Sequence, residues 1–374
     1  MNDRKLDALA ALGQSVWLDN IHRSMITTGK LRALIGLGLR GMTSNPTIFD
    51  KAVGSGGDYD AQIRDLRSSG ASTFEIYDEL TVTDVQDAAD AFRPVYDATA
   101  GLDGYVSLEI NPKLARDAER TVAEGTRLCR KVGRPNVMFK VPATEQGFSA
   151  IEELTASGIN VNVTLIFSTG QYHDAASAYL RGIRRLLEGN GDPKRVRSVA
   201  SVFVSRIDTA VDGRLDALIA RETDAERKKG AAAFKGRAAV ANAHLCYADY
   251  RETFASEGFR ELLARGANVQ RLLWGSTSTK NPAYSDVKYV EELIGRGTVN
   301  TMPETTLSAF LDHGRVEEAL GPDTSPSEAA LAELGTLGVS IDEVCARLLD
   351  DGVRIFDKSF DDLLATIEKK ARTS

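Results

Sequence analysis

Val137, Phe139 and Val141 share one face of an extended run, and Lys140 takes the other. A lysine in a protein interior is costly unless it is paired or loses its proton. Burial favours the uncharged amine, which is a nucleophile towards a ketone carbonyl. Two readings of Lys140 follow: a structural ion pair with Glu109 on a neighbouring strand, or an imine-forming catalyst. Asp19, Asn45, Glu109, Asn162 and Ser201 fall near the ends of similar polar faces. An aldol reaction through an imine needs this assortment. A carboxylate or a relayed water must move protons, while amides and hydroxyls hold the oxygens of a sugar in one geometry. Plainer roles stand beside these. Asn45-Pro46 fits a turn, Asn162 and Thr164 fit a satisfied polar layer, Asp19 fits a helix cap, and Arg206 fits the surface.

The elements that carry these residues form a simple series. The sequence predicts eight strands, near 15–19, 39–45, 105–110, 136–142, 160–167, 198–204, 271–277 and 298–303. Helical periodicity fills the gaps, as over 114–132 and 171–187. Such alternation predicts a parallel sheet covered by helices, and eight units predict closure into a (β/α)8 TIM barrel. In 106–110 and 161–165 the odd or even positions are apolar and the intervening Ser107, Glu109, Asn162 and Thr164 are polar. Helices cover the outside of a barrel, so the polar set must point to its axis, near the C-terminal strand ends where barrels place their chemistry. Arg40 interrupts this pattern in the second strand. One domain, 1–374, is expected, with a helical insertion at about 207–270 and a helical extension at about 325–374. Gly335, Gly338 and Gly352 are expected to break the extension.

The chain has 374 residues, of which 43% are hydrophobic, enough for one large core, and a formal net charge of −7 that disfavours nucleic-acid binding. Cys129, Cys246 and Cys345 are scattered and odd in number, which fits a reducing cytoplasm. His22, His173, His244 and His313 show no metal-ligand spacing, and His22 and His173 read as structural. Met1-Asn2-Asp3-Arg4-Lys5 leads into an amphipathic stretch and not an apolar signal block, and no apolar run is long enough to span a membrane.

Several motifs resemble those of transaldolases, in the longer bacterial branch of that family. Thr43-Ser44-Asn45-Pro46-Thr47 is similar to their second-strand signature and Asn136 to Thr144 to their lysine signature. Ile159 to Ser168 and Ser201 to Arg206 resemble the fifth- and sixth-strand blocks, in family order along nearly the whole chain. The resemblance implies transfer of a dihydroxyacetone unit from sedoheptulose 7-phosphate to glyceraldehyde 3-phosphate. It implies a Schiff base on Lys140, a proton relay at Glu109 through water, and Asp19 as the acid-base group at the bond that breaks. Asn45 and Asn162 would bind donor hydroxyls, Thr164 would support the relay water, and Ser201 and Arg206 would hold the phosphate. No cofactor or metal is implied, because the protonated imine is the electron sink. The implied partners are sugar phosphates, with the chain a monomer or homodimer.

One position departs from the pattern. Shorter relatives carry an arginine after the seventh strand, where this chain has Trp274-Gly275-Ser276-Thr277-Ser278-Thr279-Lys280. Lys280 takes that place as a point charge without arginine's fork, and the hydroxyl-rich loop is expected to supply the missing hydrogen bonds. Two rivals remain. A fructose 6-phosphate aldolase-type lyase shares the barrel and lysine, but that group is shorter, has tyrosine where this chain has Phe203, and lacks the acid at Glu109. A non-catalytic barrel scaffold predicts an unreactive Lys140.

Overall fold

The computed structural model describes residues 5–373. The reading of the first four residues, and Ser374 at the end of the extension, lie outside them. Eight parallel strands close in sequence order: β1 (Gln14–Asp19), β2 (Gly41–Thr43), β3 (Tyr105–Glu109), β4 (Val137–Pro142), β5 (Val161–Ile166), β6 (Ser198–Phe203), β7 (Gln270–Gly275) and β8 (Thr298–Met302). β8 returns to pair with β1. The (β/α)8 architecture read from the alternation is therefore the fold. The helices Ala118–Val132 and Thr169–Glu188 lie close to their expected spans.

Side-chain alternation sorts the strands into an outside and an inside. Val106, Leu108, Val137, Phe139, Val141, Val161 and Val163 join the large core under the helices. Trp17, Tyr105, Met138, Val199, Leu273 and Val299 form a separate apolar cluster across the barrel interior. Gly41 is required beside this layer, because a Cβ there would lie 2.5 Å from the Trp17 ring. Below it, Arg271 pairs with Asp103 at 3.0 Å and donates to Ser15 Oγ at 2.8 Å and to the Thr298 carbonyl at 2.7 Å. This charged layer closes the lower end of the barrel axis, and the inward polar residues of β3, β4 and β5 lie above it, towards the C-terminal strand ends.

Three expectations need correction. β2 is only Gly41–Thr43, shorter than 39–45. Arg40 precedes it, half-exposed and facing Asp7 at 3.8 Å, while Asn45 already caps the next helix. The extension contains the helices Ser325–Thr336 and Ile341–Thr373. Gly338, at φ +83°, lies between them, but Gly335 is helical and Gly352 sits in the middle of an unbroken helix. Glycine costs a helix interior about 1 kcal/mol relative to alanine. At 352 it lets the helix approach β5, since a Cβ would lie 2.9 Å from Leu165 Cδ2.

The 207–270 region folds as the helices Ser205–Arg221, Ala225–Phe234, Ala238–Ala255 and Glu257–Ala264 before β7 begins. Among the described residues no helix is long and apolar enough to cross a membrane.

Candidate active site

β3 and β4 pair with Glu109 opposite Lys140, and β4 and β5 with Lys140 opposite Asn162. Because these residues share the inward face, the register alone gathers them at one height. Lys140 Nζ lies 3.1 Å from Glu109 Oε2, with both side chains almost fully buried at 6% and 4% exposure. The same nitrogen donates to the Ser44 carbonyl at 3.1 Å. The ion pair anticipated for Lys140 therefore exists, and it is not sealed in packing. Lys140 lines a cavity of about 330 Å³ at the C-terminal mouth of the barrel, together with Asp19, Asn45, Asn162, Thr164, Ser201, Arg206 and Lys280. A cavity of this size matches a small polar ligand. Glu109 lies behind the lysine.

The deep end of the cavity holds the titratable groups. Asp19 does not cap a helix; His22 caps Arg23–Thr27 instead. Asp19 accepts a hydrogen bond from Thr43 Oγ1 at 2.7 Å. Burial pushes its carboxyl above the usual range, against the opposing pull of Lys140, Thr43, Lys280 and Arg206. Burial likewise raises Glu109, with Lys140 opposing. Glu109 Oε2 faces Lys140 without a well-aligned hydrogen bond, and Thr164 Oγ1 is buried with no partner among the described residues. Buried polar atoms of this kind are uncommon in finished cores. At the neighbouring Leu165 the backbone adopts φ +62°, and β5 slips register against β6 between Val163 and Ile166. Such a backbone costs on the order of 1–3 kcal/mol and tends to cluster at functional sites. Here the kink sets Thr164 in the cavity wall and Leu165 against Gly352.

The amides are held from behind. Ser201 Oγ donates to Asn162 Oδ1 at 2.6 Å, and Asn162 Nδ2 donates to Ser107 Oγ at 3.0 Å. Asn162 is thus oriented by its neighbours. Ser201, which the resemblance places at the phosphate end, lies within β6 with its hydroxyl committed to Asn162. Asn45 Oδ1 accepts from Ile48 N at 3.0 Å as a helix cap, so Asn45-Pro46 opens a helix and not the turn expected, with Asn45 still in the cavity wall.

The shallow end is basic. Arg206 is half-buried in the first turn of Ser205–Arg221, with its guanidinium over the Phe203 ring at 5.3 Å. It has no ion-pair partner among the described residues. Lys280 donates to Ser278 Oγ at 2.6 Å. Desolvation, followed by the positive charges of Arg206 and Lys51, holds Lys280 below its ordinary pKa. Ser276 and Ser278 line the cavity, whereas Thr277 Oγ1 donates to the Thr301 carbonyl and Thr279 Oγ1 to the Ser285 carbonyl. Half of the hydroxyl-rich loop therefore faces the cavity and half holds the loop.

Sequence reasoning missed several lining residues, Lys51 and Phe356 among them. Both carried a signal. Ile48 and Lys51 follow the Asn45 cap at helical spacing, which puts them on one face. Cys345, Gly352, Phe356, Phe360, Leu363 and Ile367 recur three, four or seven apart, one continuous stripe through the supposed break.

Residues 16–367 match the family described as Transaldolase/Fructose-6-phosphate aldolase. A Saccharopolyspora erythraea protein named transaldolase is 46% identical over 367 residues, covering 98% of this chain and 97% of that protein. One from Trichodesmium erythraeum, also named transaldolase, is 43% identical over 364 residues, 96% of each. A third of that name, from Thiobacillus denitrificans, is 45% identical over 360 residues, 96% of this chain and 98% of its own.

Proposed function

The chain belongs to the transaldolase/fructose-6-phosphate aldolase family, and from that premise we propose that its cavity carries a dihydroxyacetone unit on Lys140. The enzyme is a transferase of the transaldolase type. It moves that unit from sedoheptulose 7-phosphate to glyceraldehyde 3-phosphate, giving erythrose 4-phosphate and fructose 6-phosphate, as in the non-oxidative pentose phosphate pathway. The observation that carries the residue roles is the placement of Lys140 Nζ in the cavity, 3.1 Å from Glu109 Oε2, with Asp19 in the same wall.

Lys140 attacks the ketose C2 carbonyl. Water leaves from the carbinolamine, and Glu109 supplies and recovers protons through a water held with Thr164, whose hydroxyl has no protein partner. The C3–C4 bond then breaks. Its electron pair moves into the iminium to give an enamine, the C4 hydroxyl proton passes to Asp19, and the aldose phosphate departs. A carboxyl raised by burial is a stronger base than an ordinary carboxylate, which suits it to take and return that proton. The acceptor aldehyde is attacked by the enamine carbon, Asp19 returns the proton, and water hydrolyses the new imine.

Asn45 and Asn162 hold donor hydroxyls, with Ser201 orienting Asn162. Arg206, Lys280 and Lys51 receive the phosphate, with Ser276 and Ser278 beside them. Partners are limited to sugar phosphates, the chain acting as a monomer or homodimer. Three free cysteines suit a reducing, cytoplasmic setting.

Fructose 6-phosphate supplied with and without erythrose 4-phosphate tests the reading. Sedoheptulose 7-phosphate should form with the acceptor, and little dihydroxyacetone should appear without it. Brisk release of dihydroxyacetone in the absence of acceptor would instead indicate a lyase.

A further inference from the structure

The long helix Ile341–Thr373 is seated on the mouth of the barrel by several independent contacts. Gly352 packs against Leu165 of β5. Thr47 Oγ1 donates to Ser359 Oγ at 2.8 Å, and Thr366 Oγ1 to Asp50 Oδ1 at 2.7 Å, which joins the helix to Pro46–Gly54. Phe360 meets the Tyr77 ring edge-on at 5.0 Å. Between these contacts the helix presents Phe356 to the cavity. The Phe356 ring centroid lies 5.7 Å from Lys140 Nζ, and the residue is only 4% exposed. The reacting nitrogen thus has two polar neighbours, Glu109 and the Ser44 carbonyl, and an aromatic ring from the far end of the chain.

We infer that Phe356 determines the fate of the three-carbon intermediate, favouring transfer over release by keeping water from its surroundings. The inference rests on the Lys140 chemistry proposed above. The enamine has two outcomes. Its carbon can attack an acceptor aldehyde, forming the new C–C bond. Alternatively, it can take a proton from water, giving the iminium of dihydroxyacetone. The hydroxide left by that proton transfer adds to the iminium carbon, the carbinolamine hydroxyl passes its proton to the nitrogen as the C–N bond breaks, and dihydroxyacetone leaves the regenerated amine. Both outcomes end in hydrolysis of an iminium, but only the second consumes no acceptor and needs water as the proton donor at the enamine carbon. A phenyl ring offers water no hydrogen-bonding group, and it fills space beside the nitrogen that solvent would otherwise occupy. A ring within about 6 Å of a cation also favours the iminium that precedes cleavage. Phe356 is accordingly a specificity-determining residue contributed by the extension.

The ratio of dihydroxyacetone release without acceptor to transfer with erythrose 4-phosphate should be measured in the full-length wild type, Phe356→Leu and Phe356→Ser. The ratio is expected to rise about threefold with leucine and about tenfold with serine, as progressively more water is admitted. A purely structural role would lower stability and scale both rates together. Unchanged ratios in both variants would therefore overturn the inference. Should the serine chain fail to fold, the leucine variant decides alone, between a rise and none. A wild type that transfers while the variants keep its ratio fails only the Phe356 inference. A wild type with neither reaction fails the Lys140 reading as well.

Discussion

The two ends of the barrel interior bury charge in opposite ways. At the lower end Arg271 is saturated: Asp103, Ser15 and the Thr298 carbonyl surround it at 2.7–3.0 Å. At the upper end Glu109 Oε2 faces Lys140 without a well-aligned hydrogen bond, Thr164 Oγ1 has no partner among the described residues, and burial pushes Asp19 upward. The same alternation of side chains places both sets. The lower set satisfies its charges within the protein. The upper set leaves valences for a substrate and its waters. A polar residue inside a barrel is thus informative only with its partners counted, since a saturated charge closes the fold and an unsaturated one is available for chemistry.

Substitutions can break this contrast. Lys140→Ala should reduce transfer by roughly 10⁴-fold or more with the fold retained, as loss of a covalent nucleophile does. Loss of the barrel in that variant, monitored by circular dichroism, would make the lysine structural. Glu109→Gln should slow imine formation by on the order of 10²–10⁴ in single-turnover experiments, and an unchanged rate rejects the relay. Arg271→Met should instead act on stability. It strands Asp103 in the lower plug, and breaking a buried pair costs about 3–5 kcal/mol, visible in denaturant titration, while KM of the folded fraction stays as in wild type.

Smaller effects sharpen the comparison. Lys51→Ala, at the exposed rim, should raise KM for the sugar phosphate by roughly threefold to tenfold with kcat nearly constant. An effect confined to kcat would remove Lys51 from phosphate binding. Asp19→Asn tests the upward shift of its carboxyl. A raised folded pKa means that the native state holds a proton that the unfolded chain releases, so this group weakens the fold as pH rises from the unfolded value through the folded one. The Asn variant lacks this loss. The Tm of the Asn variant minus that of wild type should therefore increase as pH rises above the unfolded carboxyl value, and a decrease would contradict the shift.

Much of this was legible in the sequence because alternation in a barrel strand is simple. Val106 to Glu109 and Val161 to Thr164 state directly which side chains face the axis, and those registers assemble Glu109, Lys140 and Asn162. Other features depend on contacts between distant segments. Ser201 as the brace of Asn162 depends on a cross-strand hydrogen bond. The kink at Leu165 occurs at an ordinary apolar residue, with no glycine to mark it. Gly352 reads as a helix break by propensity and proves to be a point of close approach, so nothing in the local sequence signals that the extension brings Phe356 to the cavity.

Reduction with borohydride in the presence of fructose 6-phosphate, followed by peptide mass analysis, tests the central claim most directly. The account predicts one reduced three-carbon adduct, confined to the peptide that contains Lys140 and absent without the ketose. An adduct on another lysine, or none at all in a preparation that transfers normally, would contradict it.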